Sequence, residues 1–333
     1  MYHLLGICLS LSGLLVINSV FSLLAAVFWR GISGSAARWS GTARAQVLFL
    51  LRILPGLMSV LCVGGIFIPA YVAHEPRQTT EIVTSPLGLL AAVSLCGIGF
   101  SVWHGISAGI ATRRLVRNWK EHAVPVQIRD IRIPAFRIVH PFPVIAVVGA
   151  FRPRLFIADR VFRSLSGDEI AAAVSHENGH LVAGDNLKHA LLLVCRNILT
   201  HIPLGRSMDR AWVEAVESAA DERAARGGAE AALDLASALV KVARLVPKGS
   251  SPAVPAGISL VSNDLGGIAS RVLRLTQLAS HCTHPPATDT RLGNFALGTC
   301  LCVLFCAAVA AASSSQLLAD IHSALERIVS ALQ

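Results

Sequence analysis

The sequence predicts an α-helical integral membrane protein with an α+β domain set between its third and fourth membrane spans. Three observations predict it. Of 333 residues, 53% are hydrophobic and only 15% charged, with a mean hydropathy of +0.60, against roughly 25% charged in soluble proteins. The apolar residues collect in four runs long enough to cross a bilayer, which takes about 20 residues. Between the third and fourth runs the pattern changes to short strands followed by amphipathic helices. This composition excludes a disordered tail, a coiled coil and a secreted disulfide scaffold.

The expected organisation is a membrane domain of three spans over 1–111, an α+β domain over 112–291, a fourth span over 292–312 and a short tail over 313–333. The first run, 4–29, is interrupted only by Asn18 and a few serines. It lacks a basic leading segment and is too long for a cleaved signal, so it reads as an anchor. The second run covers 53–73, the third 86–111 with a single His104, and the fourth 292–312. An ionisable residue inside a span is a functional candidate, although a neutral histidine bonded to a neighbouring helix explains His104 equally well. The tail carries Leu317, Ile321, Ala324, Ile328 and Leu332 at helical spacing, the pattern of an interfacial or docking helix.

Charge orients the spans. Arg30, Arg38 and Arg44 follow the first run without an acid, and Arg52 is expected to snorkel back to the same side. Arg113, Arg114, Arg117 and Lys120 follow the third, opposed by Glu121 alone. The positive-inside rule therefore places the first loop and residues 112–291 in the cytoplasm. Six of the eight cysteines lie in the spans; Cys195 and Cys282 remain, with no metal-binding thiol spacing, as expected of packing residues in a reducing compartment.

Within 112–291, strands are expected at 136–139, 144–148 and 155–158, punctuated by Pro134, Pro141, Pro143 and a turn over 149–153. Ser166 and Glu169 have the spacing of a capping box, opening a helix that runs past His180. Further helices are expected at 186–201, 208–226 and 229–245, the last two parted by Gly227 and Gly228, with a loop over 247–257. The apolar stretch 190–195 suits either a core helix or one that dips into the bilayer.

The first of these helices carries His176-Glu177-Asn178-Gly179-His180. Residues four apart share a helical face, so both imidazoles can bind one ion, Zn2+ in the usual form of this motif. Glu177 can then face the open coordination position and take a proton from metal-bound water. The competing explanation is a polar helix with two surface histidines. A zinc site needs a third protein ligand, and Glu217 with Asp221 four residues on supplies a candidate ligand and an acceptor for a histidine's second nitrogen. Asp185 is a further supporting acid or merely a helix-end residue.

With Asp185 and the Glu217-Ser218-Ala219-Ala220-Asp221 run, this motif resembles the membrane gluzincin zinc metallopeptidases. The resemblance covers residues 147–226, including Pro153-Arg154-Leu155-Phe156-Ile157. Three spans, a peptidase and a fourth span look like the β-lactam sensor-transducer antirepressor peptidases. Thr283-His284-Pro285-Pro286 with Arg291 is similar to the HtpX and CAAX prenyl endopeptidase branch. The resemblance implies an α+β zincin (gluzincin) domain and one Zn2+ held by His176, His180 and Glu217. It also implies that Glu177 is the base, His284 the oxyanion donor and Arg291 its neighbour, on the cytoplasmic side of a bacterial inner membrane. The short tail cannot house the external penicillin-binding domain of the sensor-transducers.

Peptide-bond hydrolysis in membrane-associated or regulatory proteins follows from this resemblance, a transcriptional repressor among the candidate substrates. A signalling or scaffold protein with an inactive peptidase fold is the alternative. Both tyrosines, Tyr2 and Tyr71, belong to the anchors, so neither serves the oxyanion. One strand, 144–148 or 155–158, is expected to form an exposed edge that an extended peptide could join. Segment 112–291, with 23 basic and 16 acidic residues, carries most of the net charge of +9 and suits an anionic inner leaflet. Nothing resembles a nucleic-acid-binding motif, so no nucleic-acid partner is expected.

Overall fold

The computed structural model describes residues 2–76, 83–128, 131–195, 203–246 and 265–280, with isolated positions beyond 298. Three stretches, Tyr2–Ala36, Gly41–His74 and Ser85–Glu121, are long and apolar enough to cross a membrane. They form α1 (Tyr2–Ala36), α2 (Gly41–Cys62) continued through a wide turn at Val63–Phe67 into α3 (Ile68–His74), and α4 (Ser85–Glu121). The first three expected spans lie inside them. Leu24, Val27, Val60, Val72, Leu89 and Trp103 remain exposed, which suits a lipid environment. The expected fourth span and the amphipathic stripe of the tail lie outside the described residues.

The helices run on past their apolar stretches. Arg30 and Arg44 are helical, and the connection shrinks to a tight turn closed by Ser40, whose hydroxyl accepts from the Ala43 N–H at 3.3 Å. At one end of the bundle Leu5, Cys8, Tyr71, Leu87 and Ala91 pack together, and the Tyr71 hydroxyl donates to the Tyr2 carbonyl at 2.7 Å. At the other end Leu48 and Phe49 of α2 pack with Met208, Trp212 and Val216.

A four-stranded mixed sheet follows, built from β1 (Val124–Val126), β2 (Ala135–Ile138), β3 (Ile145–Val148) and β4 (Arg154–Ala158) in the order β1-β2-β4-β3. β2 and β4 run parallel, and the other two pairs are antiparallel. The three expected strands are present within a residue of their bounds. β1 escaped the sequence because it is three residues long with a central proline, a composition tolerated on a sheet edge.

The helices that follow are α5 (Asp159–Ser164), α6 (Gly167–Ala183), α7 (Asp185–Val194), α8 (Pro203–Ala224), α9 (Ala229–Leu245) and α10 (Leu265–Ser280). The Ser166 and Glu169 capping box is formed in both directions. The main core lies between the sheet and α6, α9 and α10, around Phe156, Ile157, Ala173, Leu235, Leu239 and Leu275. α7 is shorter than expected: Cys195 leaves helical geometry, and 196–202 lies outside the described residues. Its last turn reaches the membrane helices, where Val194 packs on Gly105 of α4. Val194 and Cys195 also line an apolar cavity of about 500 Å3 among α1, α2 and α4.

β4 is an interior strand, so the expected free edge is not there. β3 is the edge, but it is buried along its whole length, and the outward N–H and C=O of Val147 are engaged by Glu177 and Asn186. The expected exposed edge is therefore absent in this state.

Candidate metal centre

α6 presents His176 and His180 one turn apart on its buried face, with relative exposures of 0% and 2%. Their Nε2 atoms are 3.2 Å apart. α8 crosses this face and brings Glu217, whose Oε2 is 3.6 Å from His176 Nε2 and whose Oε1 is 3.8 Å from His180 Nε2. The close crossing depends on Gly179, because a methyl group there would meet Ala220 Cα at 3.2 Å.

These buried groups suit a metal ion. The three side chains offer ligand atoms all within 4.8 Å of one another. A tetrahedral ion with bonds of about 2.1 Å separates its ligands by roughly 3.4 Å, close to the separations here. His176 Nδ1 lies 2.9 Å from Asp221 Oδ1, and His180 Nδ1 lies 2.9 Å from Asp185 Oδ2. The His180 contact is a hydrogen bond to a carboxylate, so that ring carries its hydrogen on Nδ1 and turns an Nε2 lone pair toward His176; the His176 contact is an ion pair without hydrogen-bond geometry. At 3.2 Å from His176 Nε2, the His180 lone pair is met by a hydrogen on His176 or by a cation shared between the rings. The surroundings of His176 favour its positive form: burial opposes the imidazolium, but Asp221 and Glu217 outweigh burial and lift it to about 9. For Glu217, burial favours the neutral acid, yet the Arg271 guanidinium and the histidines hold it below the usual carboxylate range.

Glu177 points to the sheet. Its Oε2 accepts from the Val147 N–H of β3 at 2.9 Å, and Oε1 is buried with no hydrogen-bond partner among the described residues. Burial raises its affinity for a proton above that of an ordinary carboxylate, more than the two histidines lower it. A carboxyl of this kind, one residue from a ligand, suits an exchange of protons.

The structure thus brings together His176, Glu177, His180, Glu217, Asp221 and Asp185. His284 and Arg291 lie outside the described residues. Three further residues were not singled out by the sequence. Asn186 donates from Nδ2 to the carbonyls of Val147 at 2.9 Å and Gly149 at 3.2 Å, so it holds the strand that holds Glu177. Arg271, on α10, bonds both Glu217 and Asp221. Glu222, the neighbour of Asp221, accepts from the Gly41 N–H and pairs with Arg274. No local spacing links α10 to α8, so nothing in the sequence marked the two arginines; the Asn186 side chain follows a recognisable acid at the start of a helix and gave only that signal. No protein-family profile matches the chain, and no curated protein matches it.

Proposed function

We propose that this chain is a membrane-anchored zinc endopeptidase that hydrolyses peptide bonds of membrane-associated or regulatory proteins. One observation carries the reading: two buried histidines and a glutamate from a second helix bring their ligand atoms within 4.8 Å of one another, with a second buried glutamate beside them. The resemblance of the motif residues to the gluzincin peptidases agrees with it. A bound zinc ion would supply a Lewis acid for the scissile carbonyl and a water acidified toward neutrality.

The chain's own residues do the rest. His176, His180 and Glu217 would hold the metal, leaving a fourth position for water or substrate. Asp221 and Asp185 orient the two rings through Nδ1. Glu177 takes a proton from the attacking water and returns it to the departing amine, a role that suits its raised proton affinity. Asn186 and Val147 keep that carboxyl in place. An extended substrate that joins β3 would have to compete with Asn186 for the Val147 carbonyl.

Substrates at the membrane are favoured by the way the site hangs from the anchors. α8, which carries Glu217, packs on α2, and α7 runs from Asp185 to the apolar cavity among the spans. The arginines flanking the first and third spans favour a cytoplasmic site. A transcriptional repressor is one candidate substrate of that compartment. The test is zinc content and proteolysis of a casein-like protein and of the chain itself in detergent. The parent should hold one zinc and cleave, and Glu177→Gln should hold zinc and not cleave. A parent without zinc, or a Glu177→Gln variant that cleaves like the parent, overturns the proposal.

A further inference from the structure

Arg271 reaches the site from α10, where Ile268 and Leu275 anchor the same face in the core. Its guanidinium is buried and makes a three-point contact with two acids one turn apart on α8. Nε donates to Asp221 Oδ2 at 2.9 Å and Nη2 to Asp221 Oδ1 at 2.7 Å. Nη1 lies 2.8 Å from Glu217 Oε2, an ion-pair contact without hydrogen-bond geometry. Asp221 Oδ1 is the same atom that faces His176 Nδ1 at 2.9 Å. One planar group therefore fixes the ligand carboxylate and the acid that orients a ligand histidine.

We infer that Arg271 is the positioning residue of the metal centre: its charge stands against Oε2 of Glu217, so that the carboxylate ligates through Oε1 alone, and its two hydrogen bonds hold Asp221 beside His176. This rests on the metal reading above. Glu217 has two oxygens near the histidines, and a carboxylate free to turn can bind an ion through either or both. Tying one oxygen to a fixed cation removes that choice and leaves two nitrogens, one oxygen and an open position, the coordination that a catalytic zinc site uses. Lysine would not substitute. Its ammonium is a point charge on a flexible stem and cannot span both acids in one plane. Arg271 also offsets the charge of two buried carboxylates that would otherwise repel each other across one helical turn.

The test uses the full chain in detergent with Co2+ as the probe, which reports coordination through its visible absorption. Arg271→Lys keeps the charge and should bind Co2+ about 10–100-fold more weakly, with an altered visible spectrum. X-ray absorption on the Co2+-loaded parent should find a single carboxylate oxygen at bonding distance, a measurement that needs no variant to fold. Parental affinity and spectrum in a folded Arg271→Lys, or two carboxylate oxygens at bonding distance in the parent, overturn the assignment of Arg271 alone. A parent that takes up no Co2+ overturns the metal reading and this inference with it.

Discussion

The Gly41 N–H at the start of α2 is held by the Glu222 carboxylate of α8, with N···O distances of 3.0 and 3.1 Å. A membrane helix thereby caps its first turn with an acid from the helix that carries Glu217 and Asp221. Negative charge at a helix N-terminus is favourable, and here it also ties the anchors to the candidate metal centre.

Gly41→Ala should destabilise the protein. A methyl group at this position would lie 2.5 Å from the Ala219 nitrogen and 2.7 Å from the Ser218 carbonyl carbon. Backbone atoms cannot turn aside, so the two helices must part, at a cost of about 1–3 kcal/mol. Thermal unfolding in detergent should show a lowered midpoint; an unchanged midpoint means that α2 and α8 do not meet this closely.

Arg52, expected to reach back to the side of the first loop, pairs there with Asp209 of α8 through Nε at 2.8 Å. The arginine side chain is 7% exposed and the aspartate 34%. Asp209→Ala should therefore be the worse of the two truncations, costing about 3 kcal/mol, because it strands a buried charge. Arg52→Ala leaves a carboxylate that water can reach. Equal losses in chemical denaturation would refute this asymmetry.

Asp185→Asn should weaken zinc binding about 10–100-fold without unfolding the protein. An amide in place of the carboxylate no longer draws the His180 hydrogen to Nδ1, so Nε2 is less available as a donor of electrons. Competition against a chromophoric chelator measures the change. Zinc binding as tight as the parent's would show that Asp185 only begins α7.

Glu169 links the capping box of α6 to α9, accepting from the Ser166 N–H at 2.8 Å and the Ser237 hydroxyl at 2.6 Å, and pairing with Lys241 at 2.6 Å. Burial pushes its carboxyl up, but Lys241, Ser237 and Ser166 together hold it down at about 2, below its ordinary 4.5. A depressed acid stabilises the fold above its unfolded value, and the contribution disappears as pH falls from about 4.5 to about 2. Allowing for the exposure of Lys241, it is on the order of 2 kcal/mol. In Glu169→Gln, stability should fall less steeply over this window than in the parent; parallel curves would refute the assignment.

The spacing of His176 and His180 made a shared helical face legible, because one turn of an α-helix is a local property of the backbone. The capping box was legible for the same reason, as were the strand positions and the start and end of α9. α5 and α10 were not. α5 is short and continues directly from β4, while α10 becomes a helix against α9 and α8; the loop expected over 247–257 lies outside the described residues. The first three apolar runs were legible as helices from composition, yet nothing in them told that α2 begins at Gly41 or that Arg52 faces an aspartate.

By itself, the sequence determined that the chain carries span-length apolar helices and that two histidines and an acid stand one turn apart or beside each other. The sequence offered Glu217, Asp221 and Asp185 as candidates, and tertiary structure brought them to the imidazoles; it alone decided Val147 and Asn186 around Glu177 and Arg271 across Glu217 and Asp221. The division has a physical cause. Helical periodicity and capping depend on neighbours within a turn, whereas a buried charge takes its partner from whichever element packing brings within about 3 Å, however far off in the chain.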